Sequence, residues 1–363
     1  MPNQPTGYLR DILDQPIALR DTLNGLTDLS AVRPFADRLA SGDLRRVVLT
    51  GMGSSYHALH PLALTLITRG VSAMMIETSE LIHHAPALLE PHTLLVVVSQ
   101  SGQSPETLKL LEKVRGLSSE LVEGAKAGPS TSSGHAPIIG VTNTADSPLA
   151  KQSDAFILMH AGSEYTVSTK TYLATLIALP LLGDALTGQD PAATHTALSA
   201  APDAVEQYLA QWPAHIETLT ERLNGIRFII LVGRGASLAA VGTGGLILKE
   251  STHFPAEGMS SAAFRHGPLE MISPEDFVLV FAGGEPTIQL NARLAADIQA
   301  AGGRTALVVE SLTEGVFSLP SIPEVARPIL EMLPPQMISL ALAQLLGREA
   351  GRFERATKIT ATE

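Results

Sequence analysis

Short apolar runs alternate with helix-forming segments along most of the chain. Buried strands are predicted near residues 46–50, 72–77, 93–98, 137–141 and 155–159, and again near 226–232, 277–282 and 304–309. Helices are predicted after Ser54, Ser104, Thr169, Ala236 and Thr287, with a long apolar helix near 335–348. Such alternation is typical of parallel sheets covered by helices on both faces, so the predicted fold class is α/β.

The remaining segments suggest how the chain is divided. Residues 1–44 read as a helical lead-in, 45–190 as a first domain and 191–363 as a second domain with bridging helices and a C-terminal tail. The stretch 124–134 is rich in Gly and Ser and poor in apolar residues, which favours a surface loop without a chemical role.

Two separated segments repeat. Residues 47–55 line up with 229–237, and residues 95–104 line up with 277–286, both at an offset of 182 residues. A repeat held at one offset across two segments predicts two tandem domains of similar, doubly wound, flavodoxin-like fold.

Polar side chains follow two strands of the first copy. Ser54 and Ser55 come after the first strand, and a hydroxyl-rich turn follows the third. In the second copy that turn is apolar, since Ser99, Gln100, Ser101 and Ser104 line up with Phe281, Ala282, Gly283 and Pro286. Hydroxyls beside helix N-termini at the carboxyl ends of parallel strands favour a phosphate-binding site in the first domain only. The alternative is that these residues only build a turn, with Ser104 capping a helix.

Composition narrows the function classes. The 363 residues are 45% hydrophobic, carry a formal net charge of −11 and include no cysteine, which excludes disulfides and cysteine nucleophiles. The acidic charge argues against a nucleic-acid partner. With neither a membrane-length apolar run nor a signal-like N-terminus, we expect no membrane partner and a cytoplasmic location. The His spacing indicates no metal site, and no cofactor is expected.

Two residues are acid–base candidates. Glu250 ends a mostly apolar helix, where it is either a partly buried base or a solvated surface group. His266 precedes Gly-Pro at a turn, where an imidazole is either structural or catalytic.

Several motifs, in order along the chain, resemble the sugar isomerase (SIS) domain family. They are residues 12–23, 53–56, 99–102, 168–170, 233–235, 248–250, 266–268 and 358–363. The chain is most similar to the tandem-domain isomerase half of glucosamine-6-phosphate synthases and to their stand-alone relatives.

The resemblance implies roles for individual residues. The sugar-phosphate contacts of the family correspond to Ser55, Ser99, Gln100, Ser101, Ser104 and Ser168. The family's proton-transferring carboxylate corresponds to Glu250, its ring-opening imidazole, supplied by the partner subunit, to His266, and its tail lysine to Lys358. It also implies a homodimer with an active site shared between subunits and a small-molecule sugar phosphate as ligand.

The chain departs from the synthases at several points. Ile247 stands where they carry a lysine, the segment 164–169 is one residue short, and the turn before the tail differs. With no glutaminase domain in the sequence, we expect no glutaminase activity. The leading hypothesis is aldose–ketose isomerisation of a hexose or amino-hexose 6-phosphate, either as a glucosamine-6-phosphate deaminase or as a simple phosphosugar isomerase. The alternative is a non-catalytic sugar-phosphate sensor.

Overall fold

A computed structural model describes residues 7–124 and 134–355 together with Thr357 and Lys358. Residues 125–133, most of the predicted Gly- and Ser-rich loop, lie outside the described residues. Within the described residues, ten strands form two sheets: β1 Arg46–Gly51, β2 Ala73–Glu77, β3 Thr93–Val98, β4 Ile138–Thr142, β5 Ala155–Leu158, β6 Phe228–Gly233, β7 Ala256–Ser260, β8 Asp276–Phe281, β9 Arg304–Glu310 and β10 Ser318–Leu319.

Helices surround both sheets. Those of the N-terminal part are α1 Gly7–Leu13, α2 Gln15–Gly25, α3 Arg33–Ala40, α4 Ser54–His57, α5 Leu59–Thr68, α6 Thr78–His84, α7 Pro105–Gly124, α8 Pro148–Gln152 and α9 Lys170–Leu186. Those that follow are α10 Ala192–Leu198, α11 Ala201–Leu209, α12 Trp212–Arg222, α13 Leu238–Thr252, α14 Ser261–Arg265, α15 Ile288–Ala300, α16 Arg327–Glu331 and α17 Leu333–Leu345. Short 3₁₀ turns span Ser30–Val32, Pro86–Leu88, Gly235–Ser237, Pro268–Met271 and Glu324–Ala326.

Each sheet has five strands, and every pairing is parallel. The orders are β2-β1-β3-β4-β5 and β10-β9-β8-β6-β7. In both sheets the first strand, β1 or β6, is an interior strand, with the second strand on one side of it and the third on the other. The crevice between β1 and β3, like that between β6 and β8, is therefore a topological switch point, where ligands bind in such folds. The predicted α/β class with two tandem parallel sheets is confirmed.

The register of the two sheets corrects the repeat. Arg46 pairs with Thr93 in the first sheet, and Phe228 pairs with Asp276 in the second. Equivalent residues of β1 and β6 are therefore 182 positions apart, whereas those of β3 and β8 are 183 apart. The prediction of a single offset was wrong by one residue in the second segment. The corrected equivalents of Ser99, Gln100, Ser101 and Ser104 are Ala282, Gly283, Gly284 and Thr287. Three of the four polar residues are still lost, but the last retains a hydroxyl.

The core joins the two sheets into one apolar interior. The largest cluster of buried residues includes side chains from both sheets and from α9, α13 and α17, which are nearly fully buried. An ion pair connects the N-terminal lead-in to the first domain: the ammonium of Lys170, at the start of α9, lies 3.3 Å from the buried carboxylate of Asp11 in α1. The boundaries at 44 and 190 stay a prediction. In the described part of the chain, no helix combines the length and apolarity needed to cross a bilayer.

Candidate functional site

The turn from β1 into α4 brings the backbone of two strands close together. A side chain at Gly51 would place its Cβ 2.9 Å from the Val98 carbonyl oxygen, so only glycine fits this approach. Gly53 then takes a positive φ of 53°, which glycine adopts without strain. The turn ends with Ser55 at the carboxyl edge of the sheet, beside the end of β3.

The turn from β3 into α7 uses its own hydroxyls. The Ser99 hydroxyl accepts from the Gly102 amide at 3.2 Å, and the Ser101 hydroxyl accepts from the Gln103 amide at 3.3 Å. The Ser104 hydroxyl accepts from the Thr107 amide and shares a 2.8 Å hydrogen bond with its hydroxyl. The turn and cap functions considered from the sequence are therefore present, and they hold the loop in one conformation.

Gly102 makes this turn possible, and its replacement should be costly. It has a φ of 64°, and an added Cβ would lie 2.3 Å from the Ser147 hydroxyl. Gly42, with a φ of 79°, is a matched control because no described atom lies within 4 Å of its added Cβ. We expect Gly102→Ala to lower the free energy of unfolding by about 1–3 kcal/mol more than Gly42→Ala, measured by urea denaturation. Equal losses would contradict a close approach at this turn.

The loop between β5 and α9 is organised by the carboxylate of Glu164. One oxygen accepts from the Thr169 amide at 2.8 Å and the Thr171 amide at 3.1 Å, and the other accepts from the Thr171 hydroxyl at 2.7 Å. A carboxylate at a helix N-terminus is favoured by the helix dipole. Ser168 lies in this loop, facing the β1 turn across the cleft.

Helix α13 carries Glu250 to the other side of the same cleft. Its glycines allow tight packing, since a Cβ at Gly245 would lie 2.8 Å from the Gly258 amide nitrogen. Burial raises the pKa of Glu250 to about 7, although the charges of Lys358 and Lys249 act in the opposite direction. A carboxyl group with such a pKa can both take up and release a proton near neutral pH.

The C-terminal tail closes the cleft. The Gly351 amide donates to the Ser251 carbonyl at 2.9 Å, which fixes the tail against α13. Arg348 pairs with Glu354 at 2.6 Å. Arg355, Thr357 and Lys358 also line the cleft, and the Lys358 ammonium contacts the Glu164 carboxylate.

These elements enclose a cavity of about 620 Å³. Five of the predicted site residues line it: Ser55, Gln100, Ser168, Glu250 and Lys358. An adjoining cavity of about 780 Å³ is lined by Ser101 and shares Gln100 and Lys358 with the first. The structure therefore brings together hydroxyl, amide, carboxylate and ammonium groups from both halves of the chain.

Three predicted residues lie elsewhere. Ser99 and Ser104 do not line either cavity and are engaged in the turn and helix cap described above. His266 follows α14, and its side chain is exposed and away from both cavities. Its proposed contribution to a neighbouring subunit stays a prediction.

The equivalent turn of the second sheet contains an internal carboxylate. Ser237 corresponds to Ser55, and its hydroxyl donates to Glu331 at 2.9 Å. Glu331 is buried, and burial raises its pKa to about 7 while the Ser237 hydrogen bond and the charge of Arg327 act in the opposite direction. The second copy thus places an internal carboxyl group where the first copy faces a cavity.

Sequence reasoning missed Glu164 and His253. Glu164 stands in a polar loop, where a glutamate usually faces solvent, and the only signal was that this segment is one residue short. His253 lines the cavity with a positive φ of 55°, a conformation that nothing in the sequence indicates. Ile247, which replaces the family's lysine, is fully buried in the core and does not line the cavity.

Comparison with known proteins decides the family. Residues 43–184 and 223–313 match the SIS domain. The chain belongs to the SIS domain family. It is 28% identical over 369 residues to the isomerizing glutamine–fructose-6-phosphate aminotransferase of Pyrococcus horikoshii, covering 98% of this chain and 57% of that protein. The chain thus spans little more than half the length of this relative.

Solved structures of SIS proteins share the fold. The C-terminal domain of glucosamine-fructose-6-phosphate aminotransferase from Francisella tularensis matches with a TM-score of 0.81 and 20% identity, over 97% of this chain and 99% of that one. Glucosamine-6-phosphate deaminase from Thermotoga maritima matches with a TM-score of 0.75 and 18% identity, over 98% of this chain and 99% of that one. At these identities, the likeness establishes the two-sheet architecture.

Proposed function

We propose that this SIS chain is an aldose–ketose isomerase of a hexose or amino-hexose 6-phosphate. The observation that carries the proposal is one cavity in which Ser55, Gln100 and Ser168 face Glu250 and Lys358. Serine hydroxyls and helix-terminal amides suit a phosphate. A carboxyl group with a pKa near 7 suits proton transfer between adjacent carbons.

The reaction can be divided among these residues. In the open-chain aldose, Glu250 takes the proton from C2 and returns a proton to C1 through an enediolate. A proton also moves from the C2 hydroxyl to the C1 oxygen, so atoms and charge balance, and the ketose reacts by the reverse steps. Lys358 holds the carbonyl oxygen by its charge, and the hydroxyl groups of Ser55 and Ser168 hold the phosphate. Ring opening requires a further proton shuttle, the role proposed for His266 from a second subunit in a homodimer.

Loss of the C2 amine is the finer part of the proposal. When the substrate is glucosamine 6-phosphate, isomerisation yields an imine at C2 whose hydrolysis releases ammonia. The 28% identity to an isomerizing glutamine–fructose-6-phosphate aminotransferase supports an amino sugar as substrate. A cavity of about 620 Å³ has room for a hexose phosphate with or without an amine.

The proposal is tested with two substrates in deuterated water. We expect glucosamine 6-phosphate to release ammonia and fructose 6-phosphate to gain deuterium at C1, measured by an ammonia assay and by NMR. Deuterium uptake without ammonia would assign a simple isomerase. Tight binding of both sugars with neither product would overturn the enzymatic proposal in favour of a sensor.

A further inference from the structure

The ammonium of Lys358 is held by a buried carboxylate rather than by solvent. It contacts Oε2 of Glu164, whose side chain is fully buried, while the Lys358 side chain is 24% exposed. The two residues lie 194 positions apart, so the contact joins the C-terminal tail to the loop before α9.

Hydrogen-bond donors surround the carboxyl group of Glu164. Its two oxygens accept from the amides and hydroxyls of Thr169 and Thr171, and all of these groups can donate. The neighbouring ammonium of Lys170 already lies beside Asp11 and Asp14. Among the described residues, Lys358 is therefore the cation in contact with Glu164. A buried carboxylate requires such a partner, because an unpaired buried charge is costly.

The pair lies at the junction of two cavities. Lys358 and Gln100 line both the 620 Å³ cavity and the adjoining 780 Å³ cavity, whereas Glu164 lines the second. The charge of Lys358 also acts on Glu250. The Lys358 ammonium thus lowers the pKa of Glu250 and lies at the boundary between the two cavities.

We propose that Glu164 is a positioning residue that docks the C-terminal tail and fixes the Lys358 ammonium at the junction of the two cavities. Docking rests on contacts within this chain alone. Its effect on turnover rests on the proposed function. Substituting Glu164 should therefore release Lys358 first and impair the reaction as a consequence.

Docking is measured without substrate. The wild-type protein is treated with limiting acetic anhydride, and acetylation of each lysine is followed by peptide mass spectrometry. Lys151 is the internal reference, because its side chain is 62% exposed and its ion pair with Asp146 is long, at 3.6 Å. We expect Lys358 to react at least about tenfold more slowly than Lys151, as a buried charge-assisted contact implies. Equal rates in the wild type would overturn the proposal without any variant.

Variants then assign the effect to Glu164. Glu164→Gln keeps a similar shape but removes the charge, and should raise Lys358 acetylation about tenfold relative to Lys151. Glu164→Asp should restore part of the protection. Glu206→Gln, which removes the charge of an exposed partner of Arg20, is the control and should leave Lys358 unchanged. Folding is checked by circular dichroism, and a folded Glu164→Gln with unchanged Lys358 acetylation would contradict docking.

A double-mutant cycle separates positioning from a merely structural role. If Glu164 acts through Lys358, then Glu164→Gln should cost little further activity once Lys358→Met is present. Additive losses in kcat/KM would overturn the catalytic consequence. If the wild type turns over none of the sugars, the proposed function fails, whereas the acetylation result still decides docking.

Discussion

Glu250→Gln is expected to lower the rate of deuterium exchange at C1 and C2 by about 10²–10⁴-fold, the contribution of a positioned general acid–base group. Gln is nearly isosteric with Glu but cannot carry a proton between carbons. Because Glu250 is not the proposed phosphate ligand, sugar-phosphate affinity should change little. Exchange is measured by NMR and affinity by isothermal titration calorimetry. A variant that retains exchange within a few-fold of the wild type would remove Glu250 from the mechanism.

The pKa of Glu250 gives this prediction a second readout. Its folded-state pKa is near 7, so its ionised fraction, and with it kcat/KM, should rise as pH increases through that value. Lys358 lowers this pKa. Lys358→Met should therefore move the acid limb of the pH profile to higher pH, in addition to lowering the rate. A shift to lower pH would contradict the placement of the Lys358 charge beside Glu250.

The apolar pattern was sufficient to predict most of the fold. Nearly fully buried strands such as β1 and β3 are mostly apolar, and their bounds agree with prediction within a residue or two. The edge strand β7 was missed because its sequence, Ala256–Ser260, contains Glu257 and Gly258, and only Ala256 in it is buried. The two-residue strand β10 was missed because it is too short to form a pattern.

The repeat shows where sequence comparison fails. The two strands were aligned by matching apolar residues, which gave a single offset. A shift of one residue within a buried strand still places apolar residues opposite apolar residues, so the error could not be seen. Only the register, in which Phe228 pairs with Asp276, shows that the second segment carries one extra residue. Consequently the helix-capping position Ser104 was compared with Pro286 instead of Thr287.

The candidate site was predicted in part. The side chains of Ser55 and Gln100 converge because parallel strands end at one edge, which the topology implies. Glu250 instead reaches the cavity from the last turn of helix α13. Glu164 could not be predicted, because its role depends on a contact with Lys358 that joins distant parts of the chain. Tertiary packing decides whether a polar loop residue is buried, and the local pattern of apolar and polar residues does not reveal it.

Glu331→Gln is expected to make the stability of the protein less sensitive to pH. Glu331 is 1% exposed, its Oε1 accepts from Ser237, and its Oε2 has no hydrogen-bond partner among the described residues. Its pKa is raised from 4.5 to about 7 on folding, so its protonated form stabilises the fold below about pH 4.5, and this stability is lost as pH rises through about 7. The loss is at most about 3 kcal/mol.

Gln resembles the protonated carboxyl group and does not titrate, so any constant cost of its buried amide cancels in a comparison across pH. Relative to the wild type, the variant should gain up to about 3 kcal/mol in unfolding free energy between about pH 5 and pH 8, measured by urea denaturation. Glu324→Gln is the control, because Glu324 also faces Arg327 but is 73% exposed, and it should show little gain. A pH-independent difference for Glu331→Gln would mean that this carboxyl group titrates normally. The expected result would support a titrating internal carboxyl group beside Ser237, at the place where the equivalent Ser55 faces a cavity.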